Sequence, residues 1–143
     1  MRVTIEPMRS ADLPEVISLW KGTEGVGLDQ DMDSIPRIAD YLKRNPAMSF
    51  VARGAGRAIV GAVLCGYDGR RGYLHHLAVE KSCRQQGIGS RLVAACLRSL
   101  KKAGIPKCNI FVFSDNKSGQ TFWSGNGWKR RRDLLVMQRP TAR

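Results

Sequence analysis

Residues 77–91 read Leu-Ala-Val-Glu-Lys-Ser-Cys-Arg-Gln-Gln-Gly-Ile-Gly-Ser-Arg, and no other stretch limits the fold as much. A short apolar run ends in a polar turn. The turn enters an Arg-x-x-Gly-x-Gly segment, and Leu92, Val93, Cys96, Leu97 and Leu100 then recur at helical spacing. The pattern is strand, glycine-bearing turn, helix N-terminus. The first N–H groups of a helix lack intrahelical partners and carry the positive end of its dipole. They suit a phosphate, and glycine lets a bulky anion approach the backbone.

The rest of the chain alternates short strands and helices around this unit. Arg2 to Glu6 alternates as a strand ended by Pro7. Ser10 opens a helix with Leu13, Val16, Ile17 and Trp20 on its buried face, and Gly22 stops it. Residues 21–33 are irregular and hold Glu24, Asp29, Asp31 and Asp33, read either as a solvated loop with capping aspartates or as an acidic lip for a cationic amine. Asp33 or Ser34 caps a second helix that Asn45-Pro46 ends. Met48–Arg53 and the apolar run Ala58–Gly66 are strands, the second buried on both faces. Asp68-Gly69 marks a hairpin into a strand from Tyr73 to Val79.

After the helix from about Gly87 to Lys102 comes a strand over Lys107–Phe113. Asp115-Asn116 caps a short helix with Phe122 and Trp123, and Gly125-Asn126-Gly127 ends it. Trp128 and Leu134–Met137 are expected to form a final antiparallel pair around the basic turn 129–133. The expected order is β-α-α-β-β-β-α-β-α-β-β. This is an α/β (α+β) domain with a mixed, mostly antiparallel sheet flanked by helices, a single domain over 1–143.

The 143 residues suit one core, and no run approaches the ~18 apolar residues of a membrane span. The segment Met1 to Pro7 lacks a signal-like apolar stretch, so the expectation is a cytoplasmic protein without a membrane partner, as a monomer or a homodimer. The four cysteines form no C-x-x-C pair and the only histidines are His75 and His76, so no metal is expected. Cys83 stands out, because a thiolate is favoured near a helix N-terminus. A formal net charge of +12 points to anionic ligands. The basic turns 70–71 and 130–132 lack interleaved aromatics, so nucleic acid is not expected.

Three motifs in this order resemble those of the GNAT acetyltransferase superfamily. Leu77-Ala78-Val79 with Arg84-Gln85-Gln86-Gly87-Ile88-Gly89 resembles the acetyl-CoA signature (R/Q)-x-x-G-x-(G/A). Asn116 followed by Trp123 resembles N-x6-Y, and Gly127-Trp128 resembles the family's G-(F/Y) ending. The resemblance implies a fold in which the strand before the signature bulges and splays from the next. It implies acetyl-CoA as co-substrate, with backbone groups of Leu77, Ala78 and Val79 on the pantetheine and the segment Gln85, Gln86, Gly87, Ile88, Gly89 and Ser90 around the pyrophosphate. Arg84 would add charge, Arg91 or Lys117 would reach other phosphates, and Asn116 and Trp123 would complete the cofactor site.

The implied reaction is direct attack of a primary amine, small or on a peptide or protein, on the thioester in a ternary complex. A lysine-type amine near pKa ~10.4 is mostly cationic at neutral pH, so a base is useful. His75 is the candidate base, because histidine titrates near neutrality. Arylalkylamine members resemble this chain in carrying histidines two and four residues before Leu-Ala-Val, although here the second position is Tyr73. Strand alternation places Tyr73, His75, Leu77 and Val79 on one face and Leu74, His76 and Ala78 on the other, which makes His76 structural.

Two family features are missing. Trp123 stands where many members have a tyrosine acid, and an indole cannot replace it. Phe111 stands where ribosomal-protein-type members have a glutamate. Tyr73 or Tyr67 then takes over as acid, or the thiolate leaves without one. The alternative function is a non-catalytic acyl-CoA-binding regulatory module.

Overall fold

The computed structural model describes residues 2–142. The chain divides into two compact units, one running to Phe111 and the other from Val112 onward.

The first unit is built on a five-stranded sheet in the order β1-β2-β3-β4-β5. The strands are β1 (Thr4–Pro7), β2 (Phe50–Arg53), β3 (Ile59–Tyr67), β4 (Gly72–Val79) and β5 (Cys108–Ile110). All neighbouring pairs are antiparallel except β4 and β5, which run parallel. The β3 run is the apolar segment expected to be buried on both faces, and all its residues but Tyr67 are buried.

Helices α1 (Leu13–Lys21) and α2 (Ile35–Arg44) supply one layer. A 3-10 turn over Ser10–Asp12 precedes α1, so the helix opens at Asp12 rather than at Ser10, and the Asp12 carboxylate accepts the Arg9 N–H at 2.9 Å. Ser34 caps α2 by accepting the Arg37 N–H. Leu13, Val16 and Trp20 of α1 and Ile38 of α2 pack with Val51, Ala62, Leu64 and Ala78 of the sheet. Each fully buried apolar side chain of this kind stabilises by about 1.5–3 kcal/mol. Helix α3 (Ile88–Lys102) covers the opposite face. A Cβ on Gly61 of β3 would come within 3.0 Å of Leu92 and 3.3 Å of Ile88, which is how closely that helix lies. Arg91 of α3 donates to the Val3 carbonyl at 3.0 Å, a tie to the chain leading into β1.

The second unit holds helix α4 (Lys117–Gly125). Asn116 caps it by accepting the Gly119 N–H at 2.9 Å. A Cβ at Gly119 would come within 2.5 Å of the Asn116 amide, so the cap requires glycine there. The helix closes in a Schellman motif. Gly127 has φ 88°, its N–H bonds the Ser124 carbonyl, and the Trp128 N–H bonds the Trp123 carbonyl. The Trp123 and Trp128 rings meet edge to face at 5.1 Å, the apolar contact that usually accompanies this motif.

The expected final pair of strands does not form. Residues 128–142 make no ladder, and Leu135 and Met137 are 91% and 90% exposed. A run of β-favouring residues specifies a surface to bury but not the partner edge that would bury it. The strand expected over 107–113 is likewise only Cys108–Ile110, the length over which it pairs with β4. No helix among the described residues is long and apolar enough to cross a membrane.

Candidate active site

The site is organised by an irregularity in β4. Ala62 pairs with Ala78 and Leu64 pairs with His75, so β4 takes three steps where β3 takes two. The extra residue makes a β-bulge. His76 sits in it with φ 57°, a left-handed conformation that histidine tolerates better than most residues. The bulge resets the side-chain alternation and corrects the expected face of His76. Both histidines lie on the side covered by α1 and α2. The His75 ring meets Tyr41 of α2 at 6.4 Å, and the His76 ring meets Trp20 of α1 at 5.1 Å.

Pairing between β4 and β5 covers only Gly72–Leu74 with Cys108–Ile110. Beyond Leu74 the two strands have no ladder between them, and His75 to Val79 present an edge that β5 does not fill. This is the splay expected of the strand before the glycine signature. The open edge carries Leu77, Ala78 and Val79, with the Ala78 side chain buried in the core and the other two partly exposed. The Val79 carbonyl accepts the Arg84 guanidinium at 3.0 Å. Arg84 thus folds the turn back onto the strand.

The turn 84–90 has the backbone that its glycines imply. Gln85 and Gly87 are left-handed, at φ 62° and 78°. Gly87 is the N-cap of α3 and provides no side-chain cap. The first bond inside the helix runs from the Arg91 N–H to the Gly87 carbonyl at 3.0 Å. Consecutive amides in such a turn form an anion-binding concavity, reinforced by the helix dipole. Gln86, Ile88, Gly89 and Ser90 complete the segment, with Ile88 buried as an anchor on the sheet. Cys83, just before it, is buried rather than presented to solvent.

Where β4 leaves β5, Tyr73, His75 and Phe111 cluster. Tyr73 and His75 stack at 6.3 Å with 8° between planes, and Phe111 lies 6.2 Å from each. Phe111, in the position of the family's glutamate, therefore contributes an aromatic wall. His75 makes ring contacts and no side-chain hydrogen bond among the described residues. Burial holds its pKa below the ordinary histidine value, nearby His76 pushes the same way, and Asp33 opposes them. A neutral imidazole with unbonded nitrogens can accept a proton. Tyr73 is the nearer of the two expected acids, since Tyr67 lies at the far end of the hairpin opposite Gly72. Tyr41 is pushed up by burial and is a poor acid.

The acidic loop proves to be largely self-bonded. The Asp29 N–H donates to the Asp33 carboxylate at 2.8 Å, and the Asp31 and Met32 N–H groups donate to the Asp29 carboxylate. Asp33 also accepts from His76 Nε2 at 3.0 Å. Sequence reasoning missed this pair, because the alternation rule put His76 on the wrong face. The loop borders two clefts. One of about 500 Å³ is lined by Glu15, Thr23, Glu24, Glu80, Lys81 and Arg84. The other, of about 300 Å³, is lined by Ile17, Lys21, Leu28, Asp29, Asp33 and Ile35 among others. Among the described residues no three His, Cys, Asp or Glu side chains gather as a metal site would need.

A sheet splayed beside a glycine-turned helix start is the arrangement that the resemblance to the acetyltransferase family implies. The model of the acetyltransferase (GNAT) family matches residues 13–128, and the chain belongs to that family. The chemistry of the family is acetyl transfer that depends on acetyl-CoA. An acetyltransferase of Sodalis glossinidius is 35% identical over 114 residues, covering 78% of this chain and 77% of the relative. One from Yersinia enterocolitica is 36% identical with the same coverage. Among solved structures, an aminoglycoside N-acetyltransferase bound to a CoA–acetylneamine bisubstrate analogue superposes with a TM-score of 0.78 at 18% identity, covering 98% of this chain and 99% of that one. A PaiA N-acetyltransferase of Thermoplasma acidophilum in complex with coenzyme A gives 0.78 at 21% identity, over 90% and 91% of the two chains. At these identities the superpositions establish the fold.

Proposed function

We propose that this chain is an N-acetyltransferase in which a primary amine attacks acetyl-CoA directly, both substrates being bound together. The observation that carries the reading is the splay of β4 from β5 immediately before an uncapped, left-handed turn at the start of α3. An extended amide-bearing arm fits the open edge at Leu77, Ala78 and Val79. A pyrophosphate fits the amides of Gln85 to Ser90, with Arg84 supplying positive charge. Asn116 and Trp123 are assigned to cofactor binding on the resemblance of their spacing to the family motif. The Asn116 carbonyl is committed to the helix cap, so its amide N–H groups are what it offers a ligand.

His75 is the catalytic base. It takes a proton from the acceptor ammonium, directly or through a water, and the neutral nitrogen then attacks the thioester carbonyl. Tyr73 returns a proton to the departing thiolate. Phe111 stacks beside the imidazole, whose burial favours the neutral form. The acceptor is a cationic amine of a small molecule or peptide, consistent with the carboxylates around the two clefts. In the solved relatives one acceptor is an aminoglycoside analogue, and another structure, a NatC complex, binds a peptide. The site calls for no metal and no nucleic acid, and a cytoplasmic location agrees with acetyl-CoA supply.

The test pairs calorimetric titration of acetyl-CoA with thiol release across a panel of aminoglycosides, polyamines and short peptides. Binding together with amine-dependent thiol release is expected. Tight binding without release for any amine would instead fit a regulatory acyl-CoA-binding module.

A further inference from the structure

The hydrogen bond between Asp33 and His76 joins residues 43 positions apart, and neither is among the groups assigned to proton transfer above. Both side chains are mostly buried, with 11% and 17% of their surface exposed. An ionised carboxylate only accepts, so His76 Nε2 carries the proton and donates. The two Asp33 oxygens serve different elements. Oδ2 takes the Asp29 N–H, while the Asp33 N–H returns to the Asp29 carbonyl, and this closes the loop between α1 and α2 on itself. Oδ1 takes His76, the left-handed residue of the β4 bulge and the immediate neighbour of His75. Asp33 also lines the smaller cleft with Lys21 and Ile35. One carboxylate therefore ties the loop, a cleft wall and the catalytic strand together. Trp20 packs against the His76 ring and fixes its direction.

We propose that Asp33 and His76 form a latch that positions the loop between α1 and α2 against the β4 bulge, and that this latch sets affinity for the acceptor amine. The second clause rests on the acetyltransferase reading of the site. A left-handed non-glycine residue persists only where its surroundings over-determine it. Here those surroundings are Trp20 of α1, the β3 pairing and Asp33 of the loop, so loop order and bulge geometry are coupled through Asp33. Without the latch the loop has only its own short-range hydrogen bonds and a few apolar contacts, from Val26 and Leu28, to hold it. Arg84 bonds the Val79 carbonyl and not Asp33 or His76, so the pyrophosphate turn does not depend on the latch. Both are positioning residues.

The test uses the full chain with His76→Asn, Asp33→Asn and the double variant. Asparagine accepts a left-handed backbone, and its shorter amide reaches less far than the imidazole. Asp33→Asn keeps the side-chain size, and with its single acceptor oxygen on the Asp29 N–H it presents an amide N–H₂ to the His76 N–H in place of an acceptor. Amide hydrogen exchange over residues 24–33 is measured with acetyl-CoA affinity, and with KM and kcat for the best amine of the panel. Each single variant is expected to speed exchange in the loop by about tenfold or more, the scale of one lost charge-assisted hydrogen bond. The double should add less than about twofold to either single, because both break the same interaction. Acceptor KM should rise severalfold while acetyl-CoA affinity and kcat stay within about twofold. Unchanged exchange, additive effects in the double variant, or an equal loss of acetyl-CoA affinity would each overturn the latch. If no amine is acetylated even by the wild-type chain, the acetyltransferase reading fails, and the exchange data still decide the latch.

Discussion

Two helix starts in this molecule solve the same problem in opposite ways. At α4 the Asn116 side chain accepts the Gly119 N–H, and the cap is complete within the protein. At α3 the N-cap is Gly87, which has no side chain to offer. A glycine N-cap forgoes only about a few tenths of a kcal/mol relative to a side-chain cap, so leaving this helix start open costs little. On the proposed function, the difference separates a terminus built for structure from one kept for an anion. The same contrast recurs in two adjacent residues. His76 is bonded to Asp33, whereas His75 has no side-chain hydrogen bond among the described residues. In both comparisons the group without a side-chain cap or side-chain hydrogen bond is the one to which the proposed function assigns chemistry, and its counterpart holds the frame.

The contrast can be broken at His75 first. His75→Ala is expected to lower kcat/KM by about 100-fold or more, the usual contribution of a general base. The wild-type profile sharpens this. Burial and His76 lower the His75 pKa, so the active neutral form persists as pH falls. The rate should drop only as pH passes below the ordinary histidine value of 6.5, and His75→Ala should lack that limb. A wild-type midpoint above 6.5 would contradict the burial-dominated shift.

Next in size, Gly87→Val forces a β-branched residue into φ 78° and should weaken acetyl-CoA binding by about tenfold or more in calorimetry. A smaller effect is expected from Asn116→Asp, which keeps the capping oxygen and removes the amide N–H groups. It should preserve the melting temperature yet weaken acetyl-CoA binding by about 2- to 10-fold, one neutral hydrogen bond. Smallest, Asn116→Ala removes the cap and should cost about 1 kcal/mol, lowering the melting temperature by about 3–5 °C in a thermal scan. If Asn116→Ala left stability unchanged, the distinction between the two helix starts would lose its energetic basis.

Much of this was legible from local pattern. The strand, glycine turn and helix of residues 77–102 follow from apolar spacing and glycine placement, and the cap at Asn116 and the stop at Gly127 follow from turn chemistry. Trp123 read as a departure from the family's tyrosine. The fold supplies a structural use for it, as the ring that packs on Trp128 to close α4. That contact was not legible, because an edge-to-face pair depends on two side-chain directions across a helix end. The last two strands were misread for a related reason. Leu134–Met137 has the composition of a strand, but ladder hydrogen bonds belong to pairs of strands.

What the sequence determined by itself was therefore whatever depends on near neighbours: the left-handed glycines, the helix faces, the buried run of β3 and the anion-ready turn at α3. Only the tertiary structure decided which way the histidines face. One extra residue in β4 relative to β3 resets an alternation that strand periodicity alone treats as fixed. That shift carries His76 to Asp33 and leaves His75 among Tyr73, Tyr41 and Phe111. A bulge is a mismatch between two strands, and no single strand's sequence contains it.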